Sequence, residues 1–169
     1  MLQTVQHFVS WLAETPMSVF IQNVAWIIPT VQTIHILCVA IVMSSMAMID
    51  VRLLGLGARS QSIPDMVTRF MPWVWTALVI LLLTGSILII GEPARSLMNP
   101  AFILKMSMLI CVVVVTLTFQ SSIRRNVAFW ELSAPRRTAA KLMAVVSLLL
   151  LIAIVFAGRW IAYMESYTA

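Results

Sequence analysis

A histidine in the middle of an apolar run is the first feature of this sequence that could carry chemistry. His35 is that residue, and imidazole binds metals and exchanges a proton near neutral pH. If this run is a helix, Gln32, Ser45 and Met46 lie on the same lengthwise stripe of its surface as His35, with Cys38 at the border of that stripe. Lipid would leave these polar atoms unpaired, so the stripe is predicted to face the interior of a helix bundle. There His35 could hydrogen-bond a neighbouring helix, bind a ligand or relay a proton.

Three charged residues lie near the ends of the other apolar runs, at a similar depth in the predicted membrane. Lys105 is one turn into the third run, Arg159 is one turn before the end of the fourth, and Glu92 follows the second. The two basic side chains could extend to the interface and pair with lipid phosphate or with Glu92. Alternatively, His35, Lys105 and Arg159 converge on one cavity between the first, third and fourth runs. Such a cavity would be an outward-facing pocket for an anionic group.

His35 could also ligate a b-type haem, with Lys105 and Arg159 pairing the propionates. The other histidine, His7, lies in the N-terminal segment, so Met108 or a partner subunit would have to supply the second ligand. Methionines in the apolar runs are candidate copper ligands, although methionine is also common in apolar helices. The sequence contains no H-E-x-x-H, P-loop, G-x-S-x-G or Rossmann glycine pattern, so a familiar hydrolase or nucleotide-dependent enzyme is not expected.

The elements that position these residues are four long apolar runs. Of the 169 residues, 62% are apolar and 10% are charged, compared with roughly 45–50% and about 25% in soluble domains. A helix needs roughly 20 apolar residues to cross a bilayer, and continuous apolar runs do not have the alternation of barrel strands. The predicted fold is all-α, an integral membrane four-helix bundle over residues 25–169, with spans at 26–49, 70–90, 101–119 and 142–164.

Residues 1–24 precede the first span and have a different pattern. Val5, Phe8, Val9 and Leu12 share one face of a short helix, and polar side chains occupy most of the remainder. This spacing predicts an amphipathic helix that lies in the membrane interface.

Proline, glycine and capping residues predict where the spans begin and end. Pro72 is expected to open the second helix, and Asn99 to cap the third just before Pro100. Ser133 is expected to cap a fourth helix that begins well before its apolar run. Gly55 is expected to end the first helix.

The net charge of +5 is spread over short loops rather than over a continuous basic face, so nucleic acid is not an expected partner. Cytoplasmic loops carry an excess of Lys and Arg, and the loops after spans one and three hold eight such residues against three on the other side. Both termini are therefore predicted to be periplasmic. The eight are Arg52, Arg59, Arg69, Arg124, Arg125, Arg136, Arg137 and Lys141, and the three are Arg95, Lys105 and Arg159.

Asp50 ends the first span and Arg69 begins the second at the same interface depth. An unpaired carboxylate there would be costly, so the two side chains are predicted to form an ion pair. Arg52 is expected to contact a neighbouring helix or a lipid phosphate.

Six short stretches of the sequence occur together in a familiar order. They are W-L-A-E-T-P (11–16), I-H-I-L (34–37), D-V-R-L-L-G-L (50–56), T-G-S-I-L-I (84–89), N-P-A-F-I-L-K (99–105) and A-G-R-W-I-A-Y (157–163). In this order and spacing the chain resembles a bacterial family of four-helix inner-membrane proteins classed as a domain of unknown function. It is more distantly similar to the copper-resistance protein D group and to the membrane domains of b-type cytochromes. The resemblance covers nearly the whole chain.

The family pattern carries over to five polar positions of this chain, namely His35, Asp50, Arg52, Lys105 and Arg159. Gln32 departs from it, because members often have glutamate there, and Cys38 departs where glycine is usual. The resemblance therefore does not imply a role that needs a carboxylate beside His35.

These features predict a non-enzymatic or accessory inner-membrane protein with a polar pocket open to the outer side. The first alternative is an electron-transfer module that binds b-type haem through His35. The second is a copper or small-solute carrier, although the sequence has neither the inverted repeat nor the broken helices common in transporters. The expected partners are the lipid bilayer and either other membrane subunits or further copies of the chain.

The predicted topology can be tested by cysteine labelling. A cysteine introduced at Leu97 should react with a membrane-impermeant maleimide added from the outside, and one at Ser62 should not, because the basic residues place Ser62 on the cytoplasmic side. The reverse labelling pattern would place the predicted pocket on the cytoplasmic side.

Overall fold

Seven helices make up the part of the chain that the computed structural model describes, residues 2–57, 61–125 and 134–164. They are α1 (Leu2–Ala13), α2 (Pro16–Asn23), α3 (Ile27–Leu54), α4 (Ile63–Gly91), α5 (Pro93–Leu97), α6 (Pro100–Arg125) and α7 (Ala134–Met164). Within these ranges there is no strand, which confirms the predicted all-α class.

The helices α3, α4, α6 and α7 are long and apolar enough to cross a membrane, and each corresponds to one predicted span. Their outward side chains are large and apolar: Leu82 is 72% exposed, Ile110 64% and Phe156 68%. Such a surface is unfavourable in water and favourable in lipid. The protein is therefore a multi-pass membrane protein built as a four-helix bundle.

Of the predicted helix boundaries, those at Gly55 and Asn99 are confirmed and the one at Pro72 is wrong. Gly55 ends α3 with φ +77°, a left-handed conformation that glycine adopts without a Cβ clash, and α4 ends at Gly91. Asn99 Oδ1 accepts a hydrogen bond from the Ala101 N–H at 2.9 Å, close to the start of α6. Pro72, in contrast, lies inside α4 rather than at its start. Ser133 is outside the described residues.

The reason for the error at Pro72 is a capping signal further upstream. Ser62 Oγ accepts a hydrogen bond from the Asp65 N–H at 3.2 Å, and Pro64 occupies the first turn. The helix begins there because the turn before the apolar run buries Met66 and Val67 in the bundle.

The bundle is tightest around α3, which packs on α4 and on α7, while α6 packs mainly on α7. Close backbone contact between α4 and α6 is sparse, and their longer side chains complete the bundle: Trp75 Nε1 donates to Gln120 Oε1 at 3.2 Å. An apolar void of about 30 Å³ remains between the four helices. The buried apolar core comprises Cys38, Val42, Met46, Ile49, Val67, Met71, Val74, Ala77, Val112, Phe119 and Leu151.

The short helices α1, α2 and α5 lie together at one end of the bundle, which we call the amphipathic end. Here α2 supplies partners for backbone carbonyls at the end of α4. Ser18 Oγ donates to Ile90 O at 2.7 Å, and Gln22 Nε2 donates to Gly91 O at 3.0 Å. Ile21 packs so closely on Gly91 that a Cβ there would lie 2.8 Å from its Cγ2. The last carbonyls of a helix have no partner within it, so α2 acts as a cap for α4.

The N-terminal segment also presents apolar side chains that the described part of the bundle leaves exposed. Phe8, Trp11, Met17 and Phe20 are between 51% and 61% exposed, whereas Val9 is buried. This distribution is the one that the predicted interfacial helix requires, with apolar side chains available to the acyl region.

The contribution of the α2 cap can be measured by a single substitution. Ser18 is fully buried, so Ser18→Ala should lower the free energy of unfolding by about 1–3 kcal/mol, because the Ile90 carbonyl loses its donor. The control is Ser86→Ala, since the exposed Ser86 hydroxyl bonds only within α4. Denaturation of both variants in detergent gives the comparison, and equal stability would show that the cap is dispensable.

Candidate functional site

His35 lies about 12 Å along α3 from its first residue, at 1.5 Å per residue, and is half-buried against α4. Its Nδ1 lies 2.8 Å from Thr84 Oγ1, and Thr84 is buried. The imidazole also approaches the α4 backbone closely, because a Cβ at Gly85 would lie 3.6 Å from His35 Cε1. The small residue at position 85 therefore lets the ring reach Thr84.

The hydrogen bonds of Thr84 determine which ring nitrogen of His35 carries the proton. Thr84 Oγ1 lies 2.7 Å from Ile80 O, and a carbonyl oxygen can only accept, so the single hydroxyl proton is donated to Ile80. Thr84 must then accept from His35, which places the ring proton on Nδ1. In the neutral imidazole, Nε2 keeps its lone pair and is an acceptor or a ligand atom.

Lys105 provides the cationic part of the site. Its half-buried side chain lies along α7, and a Cβ at Gly158 would be 3.7 Å from Nζ and 3.9 Å from Cε. Its charge acts on His35, so the two groups are within electrostatic range of each other. Across the described part of the chain, no carboxylate lies within ion-pair distance of Lys105. We call His35, Thr84, Gly85, Lys105 and Gly158 the histidine–lysine site.

The structure supports only part of the predicted stripe around His35. Ser45, Met46 and Cys38 are buried in the bundle as expected, but Gln32 is exposed, so its predicted inward position is wrong. At 100° per residue, Gln32 lies about 120° around α3 from the buried Cys38, which leaves its amide on the exposed side of the helix. Thr84, which no sequence pattern pairs with His35, is the polar partner of the imidazole instead.

The other predicted members of the pocket are placed differently. Arg159 is exposed on α7, although it follows Gly158 directly, and Met108 is half-buried on α6. Glu92 pairs with Arg95, with 2.9 Å between Oε2 and Nη1. The structure thus places His35 against Thr84 of α4 and within electrostatic range of Lys105, while the exposed Arg159 follows Gly158 at the edge of the site.

The predicted pair between Asp50 and Arg69 does not form. Asp50 is 3% exposed and faces Ser147 of α7. Neither Asp50 Oδ2 nor Ser147 Oγ has a hydrogen bond of good geometry with the described residues. Arg69 instead lies on the exposed side of α4, with its guanidinium 5.9 Å from the centre of the Phe70 ring. Asp50 is buried on the side of α3 that packs on α7, whereas Arg69 is exposed on α4, so the two side chains do not meet.

Arg52, one of the residues carried over from the family pattern, connects two helices. Its Nε donates to Gln61 O at 2.7 Å, which ties the end of α3 to the segment that begins α4. Gln61 precedes α4, which begins at Ile63, so the expected contact of Arg52 with a neighbouring helix or a lipid phosphate stays a prediction.

His35 is the one histidine of the four spans, so a haem held through it would need its second axial ligand from Met108 or from another subunit. The described residues also contain no group of three or more His, Cys, Asp or Glu that could hold a metal ion. The chemistry that the histidine–lysine site can perform is binding through a charge, a lone pair and hydrogen bonds.

Comparison with known proteins gives one match. The model of DUF6644, described as a family of unknown function, matches residues 8–164, nearly the whole chain. This match confirms the resemblance to an uncharacterised family that the six sequence stretches indicate. No curated protein and no solved structure has a significant match to the chain.

The tautomer of His35 is a direct test of the site. In nitrogen NMR spectra of the neutral imidazole, Nδ1 should be protonated and Nε2 unprotonated. Thr84→Val should remove this preference and cost ~1 kcal/mol of stability, the usual value for one hydrogen bond between helices in a membrane. The control is Thr76→Val, because the exposed Thr76 hydroxyl bonds only to Pro72 of its own helix. A protonated Nε2 in the unmodified protein would contradict the assignment.

Proposed function

Because the chain belongs to DUF6644, a family of unknown function, its activity has to be inferred from its own residues, and we propose that it is a non-enzymatic inner-membrane protein that binds an anionic group at the histidine–lysine site. The observation that carries this proposal is Lys105. Its ammonium group is half-buried between apolar helices and has no carboxylate partner in the described ranges.

The physical argument rests on the cost of an uncompensated charge. A cation inside a membrane bundle is expensive unless it pairs with an anion or reaches water. Gly158 leaves room for the Lys105 side chain along α7, so the charge stays close to His35 instead of being displaced by a larger residue. A bound anion would supply the missing counter-charge.

His35 narrows the chemistry of that anion. Because Nδ1–H is donated to Thr84, the remaining Nε2 accepts a hydrogen bond when the ring is neutral. A ligand that matches both groups has an anionic oxygen for Lys105 and an O–H donor for Nε2. Hydrogen phosphate groups and hydroxy acids have this combination.

The charge bias of the loops supports an outward orientation for the site. His35, Lys105 and Gly158 all lie in the half of the bundle nearer the amphipathic end, and the excess of basic residues is at the opposite end. By the positive-inside rule the amphipathic end faces the periplasm of a bacterial inner membrane. Arg159, exposed at the rim, would attract anions toward the site.

The proposal is tested by titrating the purified protein with phosphate and with a hydroxy acid while following the His35 imidazole signals. Lys105→Met should weaken binding about 10- to 100-fold, since a hydrogen bond to a charged group contributes about 1.5–3 kcal/mol. Arg159→Gln should have a smaller effect because Arg159 is exposed.

The matched control is Arg69→Gln, which removes one exposed positive charge at the opposite end of the bundle and should leave binding unchanged. Signals that do not respond to either ligand, or that respond equally in Lys105→Met, would contradict the proposal.

A further inference from the structure

A second polar feature lies at the end of the bundle opposite the amphipathic end, which we call the basic end. A cleft of about 320 Å³ opens there between the end of α3, the start of α4 and the first turns of α7. Three basic residues line it, Arg52 from α3 and Arg137 and Lys141 from α7. Along α3, Arg52 follows His35 by 17 residues, roughly 25 Å at 1.5 Å per residue, and no residue is common to the cleft and the histidine–lysine site.

The electrostatics of this cleft favour an anion. The described residues that line it include three basic side chains and no acidic one, so the lining is positively charged. Ile63, the first residue of α4, is also part of the lining, which brings the positive end of that helix dipole to the cleft. Arg52 Nε donates a hydrogen bond to Gln61 O, which fixes the orientation of the Arg52 guanidinium at the edge of the cleft.

The apolar part of the lining indicates what kind of anion fits. Leu53 and Ile63 lie in the same cleft as the three cations, so it offers an apolar wall beside a charged one. A free inorganic anion uses only the charged wall. A phospholipid uses both, with its phosphate on the basic side chains and its glycerol and upper acyl carbons on the apolar residues.

The position of the cleft relative to the membrane agrees with this assignment. Arg52 follows directly on the apolar run of α3, and Lys141 precedes the apolar run of α7, so both lie at headgroup depth. Basic pockets between membrane helices at this depth bind anionic headgroups. We propose that the cleft formed by Arg52, Arg137 and Lys141 is a binding site for the phosphate headgroup of an anionic phospholipid.

The test is native mass spectrometry of the full-length protein in detergent with added phosphatidylglycerol or phosphatidylcholine. The unmodified protein should retain phosphatidylglycerol in preference to phosphatidylcholine. Lys141→Gln, at an exposed position, should lower that retention about fivefold, the effect of one basic side chain near an anionic surface. The triple variant Arg52→Gln, Arg137→Gln, Lys141→Gln should lose it almost completely.

Arg69→Gln is the matched control, because Arg69 is a basic residue at the same end of the bundle that does not line the cleft. Equal losses in Arg69→Gln and Lys141→Gln would show a diffuse attraction of basic loops and overturn the site. Displacement of the lipid by millimolar inorganic phosphate would overturn the lipid assignment in favour of a free phosphate.

Arg137→Lys is the control for loss of folding. It keeps the positive charge at position 137 and should retain the lipid even if the triple variant is unstable. Loss of the lipid in Arg137→Lys together with unchanged binding in Lys141→Gln would overturn the proposal.

Discussion

The requirement that polar groups inside a membrane find partners controls the rest of this structure. Lipid offers no hydrogen bonds, so a polar side chain in the spans must be directed to another helix or to an end of the bundle. Thr84 satisfies one nitrogen of His35, and α2 supplies donors for the last carbonyls of α4. The small residues follow the same requirement, because Gly85 and Gly158 allow His35 and Lys105 to approach neighbouring helices closely.

Much of the fold could be predicted from the sequence because lipid makes the pattern simple. Four apolar runs of spanning length allow one class of structure, and Gly55 and Asn99 act through local backbone chemistry that does not depend on tertiary contacts. Pro72 misled the prediction because proline is tolerated inside a membrane helix as well as at its start. The helix begins upstream of Pro72, where Ser62 caps α4 by accepting a hydrogen bond from the Asp65 N–H.

The site was less predictable, because its partners come from helices whose rotation the sequence does not reveal. His35 and Lys105 were identified by residue type and depth, and the structure brings them into electrostatic range. Thr84 belongs to the T-G-S-I-L-I stretch (84–89), but nothing in the sequence paired it with His35. Asp50 and Arg69 lie at the same depth in the membrane, but their side chains point away from each other. The sequence gives the depth of a residue, and depth alone does not show whether two side chains face each other.

The uneven packing of the bundle has a consequence for how it can move. Because α3 packs closely on both α4 and α7 while backbone contact between α4 and α6 is sparse, the four helices form a horseshoe whose open side is bridged by Trp75 and Gln120. Separating α4 from α6 therefore disrupts side-chain contacts but little close backbone packing, whereas separating α3 from either neighbour disrupts both. The bundle therefore has a lateral seam, and a molecule dissolved in the bilayer would reach its interior from the side more readily than through either end.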